Sequence, residues 1–337
     1  MKNFGAIIIS FLVLIACNQE NEVEQVITFK GQQVTGVTVT AEGRIFANFP
    51  RWRERVVNSV VEINDDKRSS PYPNEKWNSW KLGNPIEENV FLAVQSVVAF
   101  DGVLYVLDTR NPLFQGVLDQ PRIFAFDLDS NELISTYLLS ENVYHHDSYI
   151  NDLRVDKKKQ KIYLTDSGHA GLVVLDLKTK KSIRILDNHY STQSEVNRLN
   201  FENGVWENTV HSDGIAFDAK NDYLYFHALT GYSLYRLSTN EILDAENKVE
   251  FVAKTSAPDG MIIDESGRLY FADLEHNKIM KMDLQTKEKS VFAEGDKVRW
   301  ADTFSIFDGY LYFTNSRINE TSDDISTMSF SINKIKL

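Results

Sequence analysis

A pattern met six times along the chain restricts its fold more than any other feature. The cleanest copy is Pro258–Leu284, PDGMIIDESGRLYFADLEHNKIMKMDL. Pro258-Asp259-Gly260 opens it as a turn that leaves a carboxylate at a tight corner. A short apolar run, Met261–Ile263, leads into the hairpin loop Asp264–Gly267, and Leu269–Asp273 returns as a second strand. Glu275–Asn277 turns the chain again, and Lys278–Leu284 alternates charged with apolar residues, as a half-exposed strand does. Lys289–Ala293 supplies a fourth strand. Four short antiparallel strands in about 36 residues are the size of one propeller blade.

The other copies begin at Val34, Phe91, Tyr149, His211 and Trp300. In the first, Asp65–Trp80 reads as loop, with Trp77 and Trp80 packing across a blade edge. The sixth copy ends one strand short. A ring with unjoined edges exposes unpaired backbone, and Glu24–Phe29 (EQVITF) lies ahead of the first copy as an orphan strand able to fill the gap. The expected fold is all-β, a six-bladed β-propeller closed by an N-terminal strand. Residues 24–337 then form one domain, although the usual domain size of about 150 residues would suggest two. Two stacked β-sandwiches would leave six matching turns without a purpose.

The N-terminus carries a different signal. Met1-Lys2-Asn3 precedes the almost wholly apolar Phe4–Ala16, too short to span a bilayer comfortably and suited to a secretory leader. Residues 1–16 are thus expected to be a signal peptide. Leu14-Ile15-Ala16-Cys17 resembles the lipobox of bacterial lipoproteins, whose Cys carries the acyl chains; a plain leader with an incidental Cys is the competing reading. Cys17 is the only cysteine of the chain, so it has no internal disulfide partner. Residues 17–23 become a lipid-anchored polar tether. The expected location is an exported bacterial lipoprotein, and Asn18 rather than Asp after the Cys favours the outer membrane. A net charge of −12 argues against nucleic acid as a partner. The dense basic run Lys157–Lys159 sits where a solvated hairpin tip belongs.

The innermost strand of each blade lines the axial channel, so residues at its start converge on one mouth. These are Thr35-Gly36, Gln95-Ser96, Asn151-Asp152, Ser212-Asp213, Pro258-Asp259 and Ala301-Asp302. Four copies place Asp there. An isolated Asp-Gly is commonly a turn bonded to its own backbone, but four carboxylates in register repel unless a counter-charge joins them. Ca²⁺ or another divalent cation, which takes oxygen ligands, is one remedy; a cationic small molecule is the other. Asp213 and Asp259 are the candidate metal ligands. Asn151, Asp152, His211, Asp213, Asp259, Trp300 and Asp302 are the candidate ligand-binding set, with Trp206 or Phe304 also able to flank a ligand. The remaining histidines are scattered, and the zinc, nucleophile-elbow, Walker and dinucleotide signatures are missing.

Several motifs together resemble the major royal jelly/Yellow family. They are Phe49-Pro50-Arg51-Trp52, Pro71-Tyr72-Pro73, Val94–Val97 with Leu104–Asp108, Asn151–Leu153 with Thr165–Gly168, and Ser212–Ala216. The resemblance covers nearly the whole chain after residue 23. It implies a six-bladed propeller, secretion and a small-molecule pocket at the channel mouth; bacterial members are often labelled as related to dopachrome tautomerase. The family's paired cysteines are missing here. More distantly, Pro258–Met261 and Asn151-Asp152 are similar to gluconolactonase and regucalcin propellers. That likeness implies a metal-binding Asp at Asp259, a substrate-side Asn at Asn151, and Asp213 where a metal-binding Asn belongs. The metal-binding Glu of the first blade is replaced by Val34-Thr35-Gly36.

Two functions follow. The first is a lipid-anchored propeller that binds a small polar or aromatic molecule at the mouth. The second is a metal-dependent lactone hydrolase in which the cation polarises the carbonyl and Asp259 or Asp152 assists proton transfer as the catalytic group. The missing Glu places binding ahead of hydrolysis. Protein interaction through a propeller face is a third use of the same fold.

Overall fold

In a computed structural model of the chain, residues 22–337 are described. The expectations for the signal segment, Cys17 and most of the tether lie outside these residues. Six four-stranded antiparallel sheets form the blades, each in simple up-and-down order. Blade three is representative, with strands Ile150–Asp156, Lys161–Asp166, Gly171–Asp176 and Ser182–Ile185. The six inner strands touch one another in a closed cycle, blade one against blade six included. The propeller and its blade number are as the repeat foretold.

Ring closure also matches the sequence reading. Glu24–Lys30 pairs antiparallel with the last strand, Ser329–Lys336, placing Ile27 opposite Ile332 and Phe29 opposite Phe330. Blade one differs in one element. The stretch expected to be loop contains its fourth strand, Ser69–Pro71, paired with Val60–Ile63. Three residues without apolar alternation, lying on an exposed edge, leave no periodic signal.

Packing between blades explains the composition of the strands. The second strand of each blade is covered on both faces, so Leu104–Leu107 and Ile162–Leu164 are buried as unbroken apolar runs. Trp77 packs edge-on against Phe124 and Phe126, 5.0 Å from each ring centre, and so joins the loop of blade one to blade two. Trp80 instead lies beside the Arg51 guanidinium.

At the end of its second strand, blades two and three carry a buried Asp that fixes how the inner strand begins. Asp108 accepts the backbone N–H groups of Leu92 and Ala93 at 2.7 and 2.9 Å and pairs with the buried Arg110. Asp166 accepts the Tyr149 N–H at 2.9 Å and the Arg184 guanidinium, also at 2.9 Å. These charge-assisted bonds hold the segments entering the channel mouth.

Candidate functional site at the channel mouth

Three inner strands are bulged where they reach the mouth: at Gln95 in blade two, at Asn151-Asp152 in blade three and at Asp213-Gly214 in blade four. A bulge re-aims side chains that regular pleating would send elsewhere. Here it separates two neighbours. Asn151 turns to the mouth, whereas Asp152 accepts Ser96 Oγ and Arg154 Nη1, both at 2.8 Å, and bonds the N–H of Leu153. Arg154 also donates to the Met261 carbonyl at 2.9 Å, bridging blades three and five across the axis. Asp152 therefore belongs to this plug and lies outside the lining of the mouth cavity.

The glycines have a different duty from the one a turn motif suggests. A Cβ on Gly214 would stand 2.7 Å from the Asp259 carbonyl, and one on Gly260 would stand 2.6 Å from the Asp302 carbonyl. Adjacent inner strands pass too closely for any other residue. That proximity draws the carboxyls of blades four, five and six together.

Above the plug lies a cavity of about 610 Å³. Asn151, Asp213, Asp259 and Asp302 form its polar floor. A relay of hydrogen bonds crosses it: Trp52 Nε1 donates to Tyr149 Oη at 2.6 Å, Tyr149 to Gln95 Oε1 at 2.7 Å, Gln95 Nε2 to Asn151 Oδ1 at 2.8 Å, and Asn151 Nδ2 to Asp213 Oδ2 at 2.5 Å. The Asp213 and Asp259 carboxyls are in contact with each other. Two carboxyls in such contact share a proton when no other counter-charge is present. Burial and then the neighbouring carboxylates push Asp213 and Asp302 well above the ordinary carboxylate range. Burial likewise drives Asp259 up to about 7, against the donation from Trp300. No ion pair among the described residues joins these three carboxyls to a basic side chain.

Aromatic rings build the walls. Trp300 is fully buried and donates Nε1 to Asp259 Oδ2 at 2.7 Å. Its φ of +53° is a strained backbone for a bulky residue, of the kind retained where surrounding structure forces it. Phe201 stacks on it at 5.9 Å and Trp206 meets it edge-on at 4.9 Å. Both come from the hairpin Arg198–Phe201/Gly204–Glu207, an element without counterpart in the six copies. On the opposite wall Phe114 lies 4.8 Å from Tyr149 and 5.9 Å from Trp52. Arg53 and Asp323 stand at the rim.

Of the residues expected at the site, Asn151, Asp213, Asp259, Trp300, Asp302 and Trp206 meet in this cavity. His211 does not line it: its Nδ1 accepts the Ser194 N–H at 3.1 Å, and burial lowers its basicity. Phe304 belongs to the core and to the far end of the channel. Trp52, Phe114, Tyr149 and Gln95 were not among the candidate residues, although Trp52 and Gln95 sit within the family motifs. Another depression of about 640 Å³ lies outside the hairpin, along Ser194–Arg198. Its one carboxylate, Glu195, is paired with Lys254 at 2.9 Å, so it gathers no unpaired negative charge.

Comparison with known proteins agrees with this architecture. The chain is 25% identical over 225 residues to dopaminechrome tautomerase of Drosophila melanogaster, covering 60% of this chain and 47% of that protein. It is 26% identical over 249 residues to protein yellow of Drosophila erecta, covering 66% and 43%. The chain thus spans less than half the length of these curated relatives. A gluconolactonase from Xanthomonas campestris shares the fold with a TM-score of 0.60 at 13% identity, over 98% of this chain and 94% of that one. The family described as Major royal jelly protein matches residues 93–335, and the chain belongs to that family.

Proposed function

We infer that the channel mouth binds a small aromatic molecule carrying a positive charge, with the buried carboxyls as its counter-charge. One observation carries this reading: three carboxyls without a basic partner face a cavity walled by five aromatic rings. An ammonium group entering there replaces the shared proton, and the rings supply apolar contact and cation–π attraction to the rest. A name such as dopaminechrome tautomerase belongs to a relative that this chain matches over under half its length, and proton transfer by Asp259 is an extension of the binding reading.

A divalent cation is the competing counter-charge, and with it the lactone hydrolase. The oxygens of Asp213 and Asp259 suit Ca²⁺ in kind. Blade one, however, contributes no carboxylate. Val34 and Thr35 stand at the position of the missing Glu, and their carbonyls accept Ser316 Oγ and Thr314 Oγ1 at 2.8 and 3.0 Å. Among the described residues, no three acidic or histidine side chains of the cavity floor bring ligand atoms within reach of one another. The fit to a lactonase-type centre is incomplete, and binding of an organic cation stands ahead of it.

Calorimetry with an arylethylamine, its uncharged arylethanol counterpart and Ca²⁺ separates these readings. The amine is expected to bind at least about tenfold more tightly than the alcohol, equal to about 1.4 kcal/mol, and Asp302→Asn is expected to narrow that gap. Equal affinity for amine and alcohol would sink the cationic reading; tight Ca²⁺ binding with sugar-lactone hydrolysis would install the second. We further place the protein at a bacterial membrane, exported and held by an acylated Cys17, for the reasons given by its N-terminal sequence. Mass spectrometry of the N-terminal peptide is expected to show a lipid mass lost in Cys17→Ser; an unmodified Cys17 would end that idea.

A further inference from the structure

Blade three carries a second cluster of ionisable side chains on the mouth face, apart from the cavity floor. His145 lies in the loop entering the blade, His169 in the turn between its second and third strands, and Asp187 just beyond its fourth strand. Three segments separated in sequence thus bring their side chains to one point. We propose that His145, His169 and Asp187 form a binding site for a divalent transition metal of the Zn²⁺ class. The inference is independent of what the cavity binds.

Distances argue first. His145 Nε2 stands 3.6 Å and His169 Nε2 3.7 Å from Asp187 Oδ1, and the three ligand atoms all lie within 4.8 Å of one another. These separations are too long for direct hydrogen bonds. They are close to the edge of a tetrahedron around Zn²⁺, about 3.4 Å when each ligand bond is about 2.1 Å. The imidazole rings stack with centres 3.8 Å apart and planes 25° from parallel, and both Nε2 atoms lie within 3.7 Å of the same Asp187 oxygen.

The tautomer of His169 argues next. Its Nδ1 lies 3.2 Å from Asp147 Oδ1, a carboxylate that can only accept, so the ring proton sits on Nδ1. The Nε2 lone pair is left on the other side, where the Asn188 amide approaches at 3.0 Å as donor. A carboxylate behind the distal nitrogen is the usual support of a metal-binding histidine. Asp187 is held by a guanidinium. Arg184 contacts its Oδ1, binds Asp166 at 2.9 Å, and donates to the carbonyls of Val143 and His169 at 3.1 and 2.7 Å. One guanidinium therefore ties together all three segments that carry the ligands.

Ligand chemistry selects the ion. Two imidazoles and one carboxylate suit Zn²⁺, Co²⁺ or Ni²⁺, whereas an all-oxygen set suits Ca²⁺ or Mg²⁺. Side-chain exposure of 43% for His145 and 45% for Asp187 leaves the ion a path from solvent and a fourth position for water. The site adjoins the cavity. His169 directly follows Gly168, a lining residue, and the His145 loop continues through Asp147 to Tyr149. A bound metal would clamp the loop that aims Tyr149 at Gln95.

Co²⁺ titration of the full chain at pH 7.5 is the test, followed by visible absorption and competition with Zn²⁺. One equivalent is expected to give the intense bands of tetrahedral Co²⁺ with nitrogen and oxygen ligands, bleached by Zn²⁺. His169→Ala and His145→Ala are expected to abolish the bands. Asp147→Asn, which supports the site through the His169 Nδ1, is expected to weaken binding about tenfold. His276→Ala, an exposed histidine on blade five, should change nothing. A pale octahedral spectrum, or equal affinity in His169→Ala, would overturn the proposal. Thermal melts guard against misfolding: Zn²⁺ should raise the midpoint of the parent and leave that of His145→Ala unmoved, and an equal rise in both would also overturn it.

Discussion

Asp259→Asn is expected to make the metal-stripped, unliganded protein more stable than its parent at pH 8 and nearly unchanged at pH 4. An unfolded Asp titrates near 3.9, whereas burial holds Asp259 at about 7 in the native state. The native form therefore holds its proton more tightly. That contribution is complete below about pH 4 and is lost progressively as pH rises through about 7. Above it, the parent must keep a charge in a buried floor already crowded by Asp213 and Asp302. Asn cannot ionise, fits the same space and still presents an oxygen to Trp300 Nε1. The gain at pH 8 is on the order of 2–4 kcal/mol, up to the value of a three-unit shift. Urea unfolding at both pH values reads it directly. A variant destabilised equally at both would mean that Asp259 is held by fixed donors and not penalised by burial.

The same pH dependence bears on binding. A cation that pairs with these carboxyls must displace protons below about pH 7, so its affinity should fall as the solution is acidified. A neutral ligand held only by the rings would not respond. The mouth is therefore built so that charge stabilises the bound state and penalises the free one. This is a common feature of binding sites, where local strain and buried charge are tolerated for function. The left-handed backbone of Trp300, which aims its indole at Asp259, fits that pattern.

How much of this could be read from the residues depends on how local the signal is. Strand alternation recurs in every blade and Asp-Gly in four of the six, so the propeller and the closing role of Glu24–Phe29 were legible. The mouth positions recur with the same period, and that period alone brings Asn151, Asp213, Asp259 and Asp302 to one point. Asp152 could not be separated from Asn151, because its withdrawal depends on a bulge and on Arg154 reaching across to blade five. Gly214 and Gly260 looked like turn residues, yet their need comes from the approach of neighbouring strands. The aromatic walls were the least legible. Trp52, Phe114 and Tyr149 come from three separate segments, and no spacing links them. Trp206 was named from the sequence, but the hairpin that delivers it is inserted between repeats, so a search for the period passes over that element.

Loss of ring closure should have the largest structural effect of any change in the chain. Phe29 is buried, meets Phe49 edge-on at 4.9 Å and pairs across from Phe330, so it joins blade six to blade one. Phe29→Ala is expected to cost about 3–5 kcal/mol through lost burial and the cavity left behind. Deleting Glu24–Lys30 goes further. It removes Ile27 and Phe29 together, each worth about 1.5–3 kcal/mol, and leaves Ser329–Lys336 as a raw edge open to other chains. Against a total stability of about 5–15 kcal/mol, the truncated chain should aggregate or lose cooperative unfolding. Val291→Ala, on the exposed outer strand of blade five, is the matched control and should change stability little. Urea midpoints compare the point variants, and light scattering follows the truncation. A Phe29→Ala cost no larger than the control would mean that the ring is held by other contacts. Some of these lie at the mouth: Gln33 Nε2 donates to the Ser316 carbonyl at 2.9 Å, and Ser316 Oγ to that of Val34. They stand near Asp302 at the same seam, so a loosened closure should weaken cation binding before the fold is lost. Strong stability loss with unchanged affinity would instead show that the floor carboxyls of blades four to six are positioned without the closing strand.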